Sequence, residues 1–460
     1  MDNETPVLGT LVLAAGKGKR MNSSLPKVMH TVLGRPMLGY ALAAAPDGSP
    51  VAAVVGHGWE RLRDYLSSSF PSAALIRQEE QRGTGHAVKV ARPWWEKFKS
   101  VLVLNGDLPL LRRATVQSLV EFQASSGAAC VLLSFTMPSP RGYGHVVRSG
   151  ETLSIVEDKD ATPAQRKIQE VNGGCYVFDA RALASVIDGL SDDNAQNEYY
   201  LPDAVNAISA GGGAVAAIEV DSCECLGVNT QADLAKVTRL MRGRILSSLM
   251  EMGVRFMDAD SAWVGPDAEV EPDVEIMSGA VILGKSFVGR GSVVGVGCVL
   301  NNARLGAGVR LAPYVVVEDS ELKDGASAGP FAYVRGGSVL SEEAFAGKFV
   351  ELKNTAVGRG SKVAHLSYMG DAVIGELANV GAGTITCNYD GVSKLPTKIG
   401  DRCFVGSDTM LVAPVSLGAD STTAAGSAIT ADVPDGALAV GRARQRNIEG
   451  WASRKTAREA

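Results

Sequence analysis

Residues 264–294 read VGPDAEVEPDVEIMSGAVILGKSFVGRGSVV, and an aliphatic side chain returns there at every sixth position: Val264, Val270, Ile276, Ile282, Val288 and Val294. Each is usually followed by glycine or by a small or acidic residue. Neither the period of an α-helix nor the alternation of an ordinary strand has this spacing. A six-residue rung with one inward aliphatic suits a left-handed parallel β-helix of hexapeptide repeats, in which three short strands make one turn of a flat-faced coil. The rhythm slips near Asn301 and Asp319 and resumes at Val357, Val363 and Met369. It then continues through Val380, Thr386, Ile399, Val405, Leu411, Leu417, Thr423 and Ile429. About nine coils are predicted. Asn388–Leu395 fits no rung and is expected to loop out from a corner. The tail after Asp435 leaves the rhythm and carries Arg442, Arg444 and Arg446.

Upstream, Gln231–Met252 keeps a helical period through Leu234, Val237, Leu240, Met241, Ile245, Leu249 and Met252, which predicts a long connecting helix. Further back, Leu11–Ala15, Ala52–Val55, Ala74–Ile76, Val101–Leu104 and Cys130–Phe135 read as strands. Met37–Ala45, Glu60–Ser67, Gly85–Lys97 and Ala114–Ser125 read as the helices between them. This alternation predicts an α/β, Rossmann-like domain: a mostly parallel sheet with helices on both faces and ligands at the C-terminal strand ends. The expected domains are 1–229, a connecting helix over 230–252, and the β-helix with its tail over 253–460.

At 460 residues the chain is too long for one compact core. An apolar share of 46% and a charged share of 21% are those of a soluble globular protein. Aromatics at 6% and 52 glycines fit a solenoid with tight corners. A net charge of −5 argues against a nucleic-acid or acidic-membrane surface, so an anionic substrate needs a local basic pocket. The acidic start Met1-Asp2-Asn3-Glu4 and the run Val7–Ala15, which ends in glycine, read as a first strand and not a signal peptide. No stretch approaches about 18 uninterrupted apolar residues, so no membrane span is expected. The seven cysteines are scattered and Cys223-x-Cys225 is too short for a zinc spacing, which predicts reduced thiols and a cytoplasmic location.

The first apolar run ends in Leu13-Ala14-Ala15-Gly16-Lys17-Gly18-Lys19-Arg20-Met21. Gly16 and Gly18 let backbone N–H groups approach phosphate oxygens, and Lys17, Lys19, Arg20 and Lys27 add positive charge. The string is neither a Walker loop nor a dinucleotide fingerprint. Asn105-Gly106-Asp107 stands at a strand end, where a carboxylate can hold Mg2+ together with phosphate oxygens. A turn-forming aspartate before Leu108-Pro109 is the structural alternative for Asp107.

With Gln78-x-x-Gln81-x-Gly83-Thr84-Gly85-His86-Ala87, Gly142-Tyr143-Gly144, Glu157-x-Lys159-Asp160 and Gly227-Val228-Asn229, the N-terminal pattern resembles the sugar-1-phosphate nucleotidyltransferases. Joined to the β-helix, the chain resembles, from Leu11 to Arg442, the bacterial family of bifunctional N-acetylglucosamine-1-phosphate uridyltransferases and glucosamine-1-phosphate acetyltransferases. The resemblance implies that Leu13, Ala14, Ala15, Gly16, Lys27, Gln78, Gly83, Thr84, Asn105 and Gly106 bind the uridine nucleotide. Gly142, Glu157, Asn172 and Asn229 would hold the sugar and phosphate, with Asp107 and Asn229 on Mg2+. Lys27 and Arg20 would neutralise the charge that builds as a sugar phosphate attacks the α-phosphorus of UTP. The family usually has tyrosine at Asn105 and arginine at His145, two departures that bear on the shape of the nucleotide pocket, and proline at Gly336, a departure expected to loosen Arg335.

The β-helix holds one histidine, His365, and a lone histidine is more often structural than catalytic. The resemblance makes it the base that deprotonates the amine of glucosamine-1-phosphate for attack on acetyl-CoA. Arg335 and Lys353 would take the sugar phosphate, Tyr368, Asn379, Asn388 and Tyr389 would position the sugar, and Lys394 would reach a phosphate. Ala382, Ser407, Ala425 and Arg442 would line the acetyl-CoA groove. A homotrimer through the β-helix is implied, with no nucleic-acid or membrane partner, and products that feed peptidoglycan and lipopolysaccharide synthesis. Two other readings stay open on sequence. One is a single-function nucleotidyltransferase with a regulatory β-helix. The other is a β-helix serving as a trimeric scaffold or zinc site, although His30, His57, His86 and His145 all precede the solenoid.

Overall fold

Leu8–Ala14 (β1) is buried almost throughout, as a strand covered on both faces must be. In the computed structural model, which describes residues 7–150 and 152–452, it sits mid-sheet. The acidic Met1–Glu4 and the last residues of the tail lie outside the described residues. Val51–Val55 (β2) pairs parallel with β1, and Ala74–Arg77 (β3) lies beyond it. Ser100–Asn105 (β4) pairs parallel with the other edge of β1. Then come Cys130–Thr136 (β5), the hairpin His145–Ser149 (β6) and Thr152–Val156 (β7), Glu170–Asp179 (β8), and Val215–Glu219 (β9). The order β9-β5-β8-β4-β1-β2-β3 is parallel except for β8, which runs antiparallel between β4 and β5. The hairpin joins the edge of β8. The chain therefore moves outward from β1 to β3 and returns beside β1 as β4. That reversal opens a crevice at the carboxyl ends of β1 and β4, where such sheets bind ligands.

The predicted strands are all present within a residue or a few of their expected limits. One helix differs. The segment read as Gly85–Lys97 is two helices, Thr84–Val90 and Arg92–Trp95, because Pro93 lacks the N–H needed to continue the first. The connecting helix runs Gln231–Glu251. Thr230 caps it: its Oγ1 accepts from Asp233 N at 3.1 Å while the Asp233 carboxylate accepts from Thr230 N at 2.8 Å. Two compact units divide inside this helix, Met1–Gly243 and Arg244–Ala460.

The second unit is the left-handed β-helix. Among the described residues its three faces stack eleven, ten and nine strands. The first face runs from Arg255–Phe256 to Leu438–Ala439, the second from Trp263–Val264 to Ala428–Ile429, and the third from Glu269–Val270 to Val415–Leu417. Ten strands on the second face make about one coil more than the hexad count. All the hexad positions named above are buried and form one continuous core, with Thr386 and Thr423 at 1% exposure.

The slips in the rhythm have a structural cause. The step from Leu300 to Leu305, and those from Val317 to Leu322, Leu352 to Val357 and Met369 to Ile374, are one residue short. All four fall at the corner from the second face to the third, where Asn302, Asp319, Asn354 and Asp371 adopt φ of 46–52°. Asparagine and aspartate tolerate this left-handed backbone better than other non-glycine residues. They also bond along the corner: Asn302 Nδ2 donates to Asp319 at 3.1 Å, and Asn354 Nδ2 donates to Asp371 at 2.7 Å. Asn388–Leu395 does leave this corner as a loop, closed by Leu395 N donating to Asn388 O at 2.8 Å.

Candidate active sites

In the N-terminal unit the glycine-rich loop leaves β1, and Lys27 lies on a short 3-10 turn after it. Gly106 N donates to Leu13 O at 2.9 Å, which ties the end of β4 to the loop, and Val228 N donates to Asp107 O at 3.1 Å. Three segments remote in sequence thereby converge. Lys27 Nζ forms an ion pair with Asp107 and donates to Asn229 Oδ1 at 3.0 Å. Arg20 donates to the same oxygen at 2.8 Å. One carboxylate and one amide oxygen thus share a cation, so the Asp107 and Asn229 oxygens already converge on one position. Hard oxygen donors of this kind, to be completed by phosphate oxygens, fit Mg2+. Among the described residues no three His, Cys, Asp or Glu side chains gather as a metal centre.

Gln78, after β3, is 2% exposed. Its Nε2 donates to Gly83 O at 3.2 Å and to His86 Nδ1 at 2.9 Å, so the carbonyl oxygen is what it can offer a base. Gly83 has φ 105°, and a Cβ there would lie 2.5 Å from Tyr199 O, so only glycine fits. Thr84 Oγ1 accepts from Leu201 N at 3.0 Å and keeps its own proton to donate. Asn105 packs against the glycine turn at Gly174.

The third cluster is built where β8 shifts register by a bulge between Asn172, still paired with Ser134, and Tyr176. Asn172 Nδ2 donates to Tyr176 Oη at 2.6 Å, and its N donates to Gly144 O at 2.8 Å. Gly142 N donates to Asp158 at 3.0 Å. Burial, together with Asp203, Asp160 and Asp158, pushes the Glu157 carboxyl up to about 7. Asp158 was only a spacer position in the motif read from sequence; its bond to Gly142 depends on the hairpin's register.

On the β-helix, Arg335 and Lys353 are register partners on the second face, and Tyr368 stands on the next coil. Arg335 donates twice to Glu351, at 2.9 and 2.7 Å. Gly336 has φ 64°, a value proline cannot take, yet Arg335 remains anchored by Glu351. Lys353 is 3.7 Å from Asp371, and Asn388 Nδ2 donates to Asp371 at 2.6 Å. Burial opposes ionisation of Asp371, but Asn354, Asn388, Lys353 and Lys394 hold its carboxyl below the usual range. The nearby Lys353 ammonium pushes Lys394 down. Asp371, which organises this corner, was not singled out by sequence; its signal is the 17-residue step from Asn354. Tyr389 is exposed on the loop and donates to Gly391 O at 2.6 Å.

His365 is exposed at the end of a first-face strand, and Asn379 begins the next strand of that face. The second face separates them from the Arg335–Lys353–Asp371 corner. His365 heads a file of small residues up the corner between first and second faces. Gly383 N donates to His365 O at 3.2 Å, Asp408 N to Ala382 O at 2.7 Å, and Gly426 N to Ser407 O at 2.8 Å. Ala382, Ser407 and Ala425 are therefore stacked one per coil above His365. Gly441 N donates to Ser427 at 3.2 Å, which brings the exposed Arg442 to the top of the solenoid.

A nucleotidyltransferase sheet with a phosphate loop, followed by a hexapeptide-repeat solenoid with a histidine-headed groove, defines a two-domain transferase. A MobA-like NTP transferase domain model matches residues 10–170, and a model of the hexapeptide repeat of succinyl-transferase matches residues 396–431. The Bifunctional protein GlmU of Pelobacter propionicus is 45% identical over 450 residues, covering 96% of this chain and 98% of its own. That of a strain of Thermus thermophilus is 45% identical over 449 residues, covering 97% and 98%. That of Koribacter versatilis is 43% identical over 457 residues, covering 97% of each. The chain belongs to the bifunctional GlmU family, a multifunctional transferase that pairs a uridyltransferase with a glucosamine-1-phosphate acetyltransferase in cell-wall synthesis. The single-function reading falls away, since these relatives match both units end to end. No helix among the described residues is long and apolar enough to cross a membrane.

Proposed function

We propose that the β-helix first transfers the acetyl group of acetyl-CoA to glucosamine-1-phosphate, and that the N-terminal unit then joins the product to UTP, releasing pyrophosphate. The observation that carries the second half is the convergence of Lys27, Arg20, Asp107 and Asn229 at the carboxyl ends of β1 and β4. Asp107 and Asn229 hold Mg2+, which supplies charge neutralisation and alignment of the phosphates for in-line displacement. Backbone N–H groups of Ala14–Gly16 cradle phosphate, Lys27 and Arg20 neutralise developing charge, and no covalent intermediate is needed. Gln78, Gly83, Thr84, Asn105 and Gly106 frame the base and ribose. Gly142, Glu157 and Asn172 receive the acceptor sugar.

In the second unit, His365 takes a proton from the sugar amine as it attacks the thioester carbonyl, and the C–S bond breaks to release CoA, whose thiolate takes up the proton; imidazole is suited to this task near neutrality. Its ring makes no hydrogen bond among the described residues, which leaves a nitrogen available. Arg335, Lys353 and Lys394 bind the phosphate, Tyr368, Asn379, Asn388 and Tyr389 orient the sugar, and the pantetheine arm lies along Ala382, Ser407 and Ala425 toward Arg442. His365 and the basic corner stand on opposite sides of the second face, which supports a site completed by a neighbouring copy in a homotrimer. An exposed stack of Tyr314, Phe331 and Phe349, with centroids 5.3 and 5.1 Å apart, continues into Leu366 and offers the apolar surface for such packing. The enzyme works in the cytoplasm and supplies peptidoglycan and lipopolysaccharide precursors.

The test is to incubate the purified protein with glucosamine-1-phosphate, acetyl-CoA, UTP and Mg2+, omitting each in turn, and to seek UDP-N-acetylglucosamine by mass spectrometry. Light scattering should give about three times 48.0 kDa. Product formed without acetyl-CoA from the free amine, or an active monomer, would overturn the corresponding part.

A further inference from the structure

His145 opens β6 beside the sugar loop, is 1% exposed, and has no part in the chemistry above. Its Nδ1 lies 3.0 Å from Ile168 O and its Nε2 lies 3.4 Å from Asp158 Oδ1. A carbonyl oxygen and a carboxylate oxygen only accept. A neutral imidazole would set one bare lone pair against an acceptor, whereas the doubly protonated ring satisfies both. Asp158 uses its other oxygen, Oδ2, to accept from Gly142 N at 3.0 Å. The far end of the same turn is tied by Asn172 N donating to Gly144 O at 2.8 Å.

The other charged groups around this ring are few. Glu157 precedes Asp158, and its carboxyl, raised chiefly by burial, is partly relieved by His145. Arg166 lies 4.0 Å from Asp158 Oδ1 and donates to the Asp158 carbonyl at 3.1 Å, but its side chain is half exposed. His145 is the most deeply buried side chain of the group. Burial opposes the charge on Asp158, yet the Gly142 amide and His145 keep its carboxyl below the usual range.

We propose that His145 is a positioning residue for uridylyl transfer: as a buried imidazolium it locks Asp158, and Asp158 holds the Gly142 backbone in the shape that receives N-acetylglucosamine-1-phosphate. This rests on the reading of that loop as the acceptor-sugar site. It assigns a role to a side chain that touches no substrate.

The test uses the full chain as wild type, His145→Leu, His145→Arg, Asp158→Ala and the His145→Leu/Asp158→Ala double variant. Each of the two single truncations is expected to raise KM for N-acetylglucosamine-1-phosphate about tenfold, with kcat and the KM for UTP changed less than about twofold, as loss of one charge-assisted bond predicts. The double variant should be no worse than the weaker single one, because the residues act in one chain. His145→Arg, which keeps both charge and donors, should recover most of the loss. Acetyl transfer by the same preparations should be unchanged. An unaltered sugar-phosphate KM in His145→Leu, or effects that multiply in the double variant, would overturn the proposal. Should His145→Leu not fold, 15N NMR of the wild-type imidazole decides: both nitrogens protonated at neutral pH supports the clamp, and a bare Nε2 sinks it. A wild-type protein that binds no sugar phosphate would refute the site reading, and the NMR result would then still judge the His145–Asp158 lock separately.

Discussion

Replacing Glu157 by glutamine removes a carboxyl that the fold holds against its preference. The side chain follows β7, where burial is the main cause of its raised pKa and Asp203, Asp160 and Asp158 add to it, from an ordinary 4.5 to about 7. Between those values the folded protein keeps a proton that the unfolded chain has released, so stability falls as pH rises through the window. At about 1.4 kcal/mol per pH unit, the whole displacement corresponds to about 3 kcal/mol. By surface exposure the residue is only half-buried, and solvent screening reduces the expected effect to about 2 kcal/mol. Glu157→Gln keeps the shape and has no proton to lose. Its stability should match the wild type near the low end of the window and exceed it by about 2 kcal/mol above the high end, or roughly 4–8 °C in the melting of the N-terminal unit. The assay is thermal denaturation of both proteins across the window, with hydrogen exchange on β8 peptides to localise the change. The same variant should bind the acceptor sugar less well, as expected where strain is stored at a site. A difference in melting temperature that stays flat with pH, or that favours the wild type on the alkaline side, would refute the reasoning.

Other outcomes are expected of the two sites. Asp107→Ala should abolish uridylyl transfer and leave acetyl transfer intact, and His365→Ala should do the reverse; loss of both activities from either change in folded protein argues against separate sites. Gly83→Ala places a Cβ against the Tyr199 backbone at a φ of 105°, so UTP affinity by calorimetry should fall at least tenfold, with a stability loss of about 1–3 kcal/mol. Ser407→Trp should raise the KM for acetyl-CoA with little effect on that for glucosamine-1-phosphate, and an equal rise in both would displace the groove from this file. Leu352→Ala, truncating a fully buried rung beneath Lys353, should cost about 2–5 kcal/mol in denaturant unfolding of the β-helix.

Much of the architecture was legible because its determinants are local. One inward aliphatic in six residues announces each rung wherever it occurs, and the phosphate loop announces itself by glycines after an apolar run. The errors were local too: Pro93 broke a helix that hydrophobic periodicity alone had extended, and four short corners concealed a coil from a strict count of sixes. Of the residues that the resemblance assigned to the sugar phosphate, Arg335, Lys353, Tyr368 and Asn388 lie around one face, whereas Asn379 stands on the first face. Of the residues that hold them, Glu351 carries no mark in the sequence, and Asp371 shows only the 17-residue step from Asn354.

The amino-acid order by itself determined that a nucleotide-handling sheet precedes a hexad solenoid, since periodicity and loop chemistry are read from neighbours a few residues apart. Only the tertiary structure decided which polar groups meet. Lys27 reaches Asp107 and Asn229 across 80 and 202 positions, and His145 reaches Gly142 only through Asp158. Strand order and register set those distances, and neither leaves a periodic trace, because a polar partner contributes through position in space and not through recurrence along the chain.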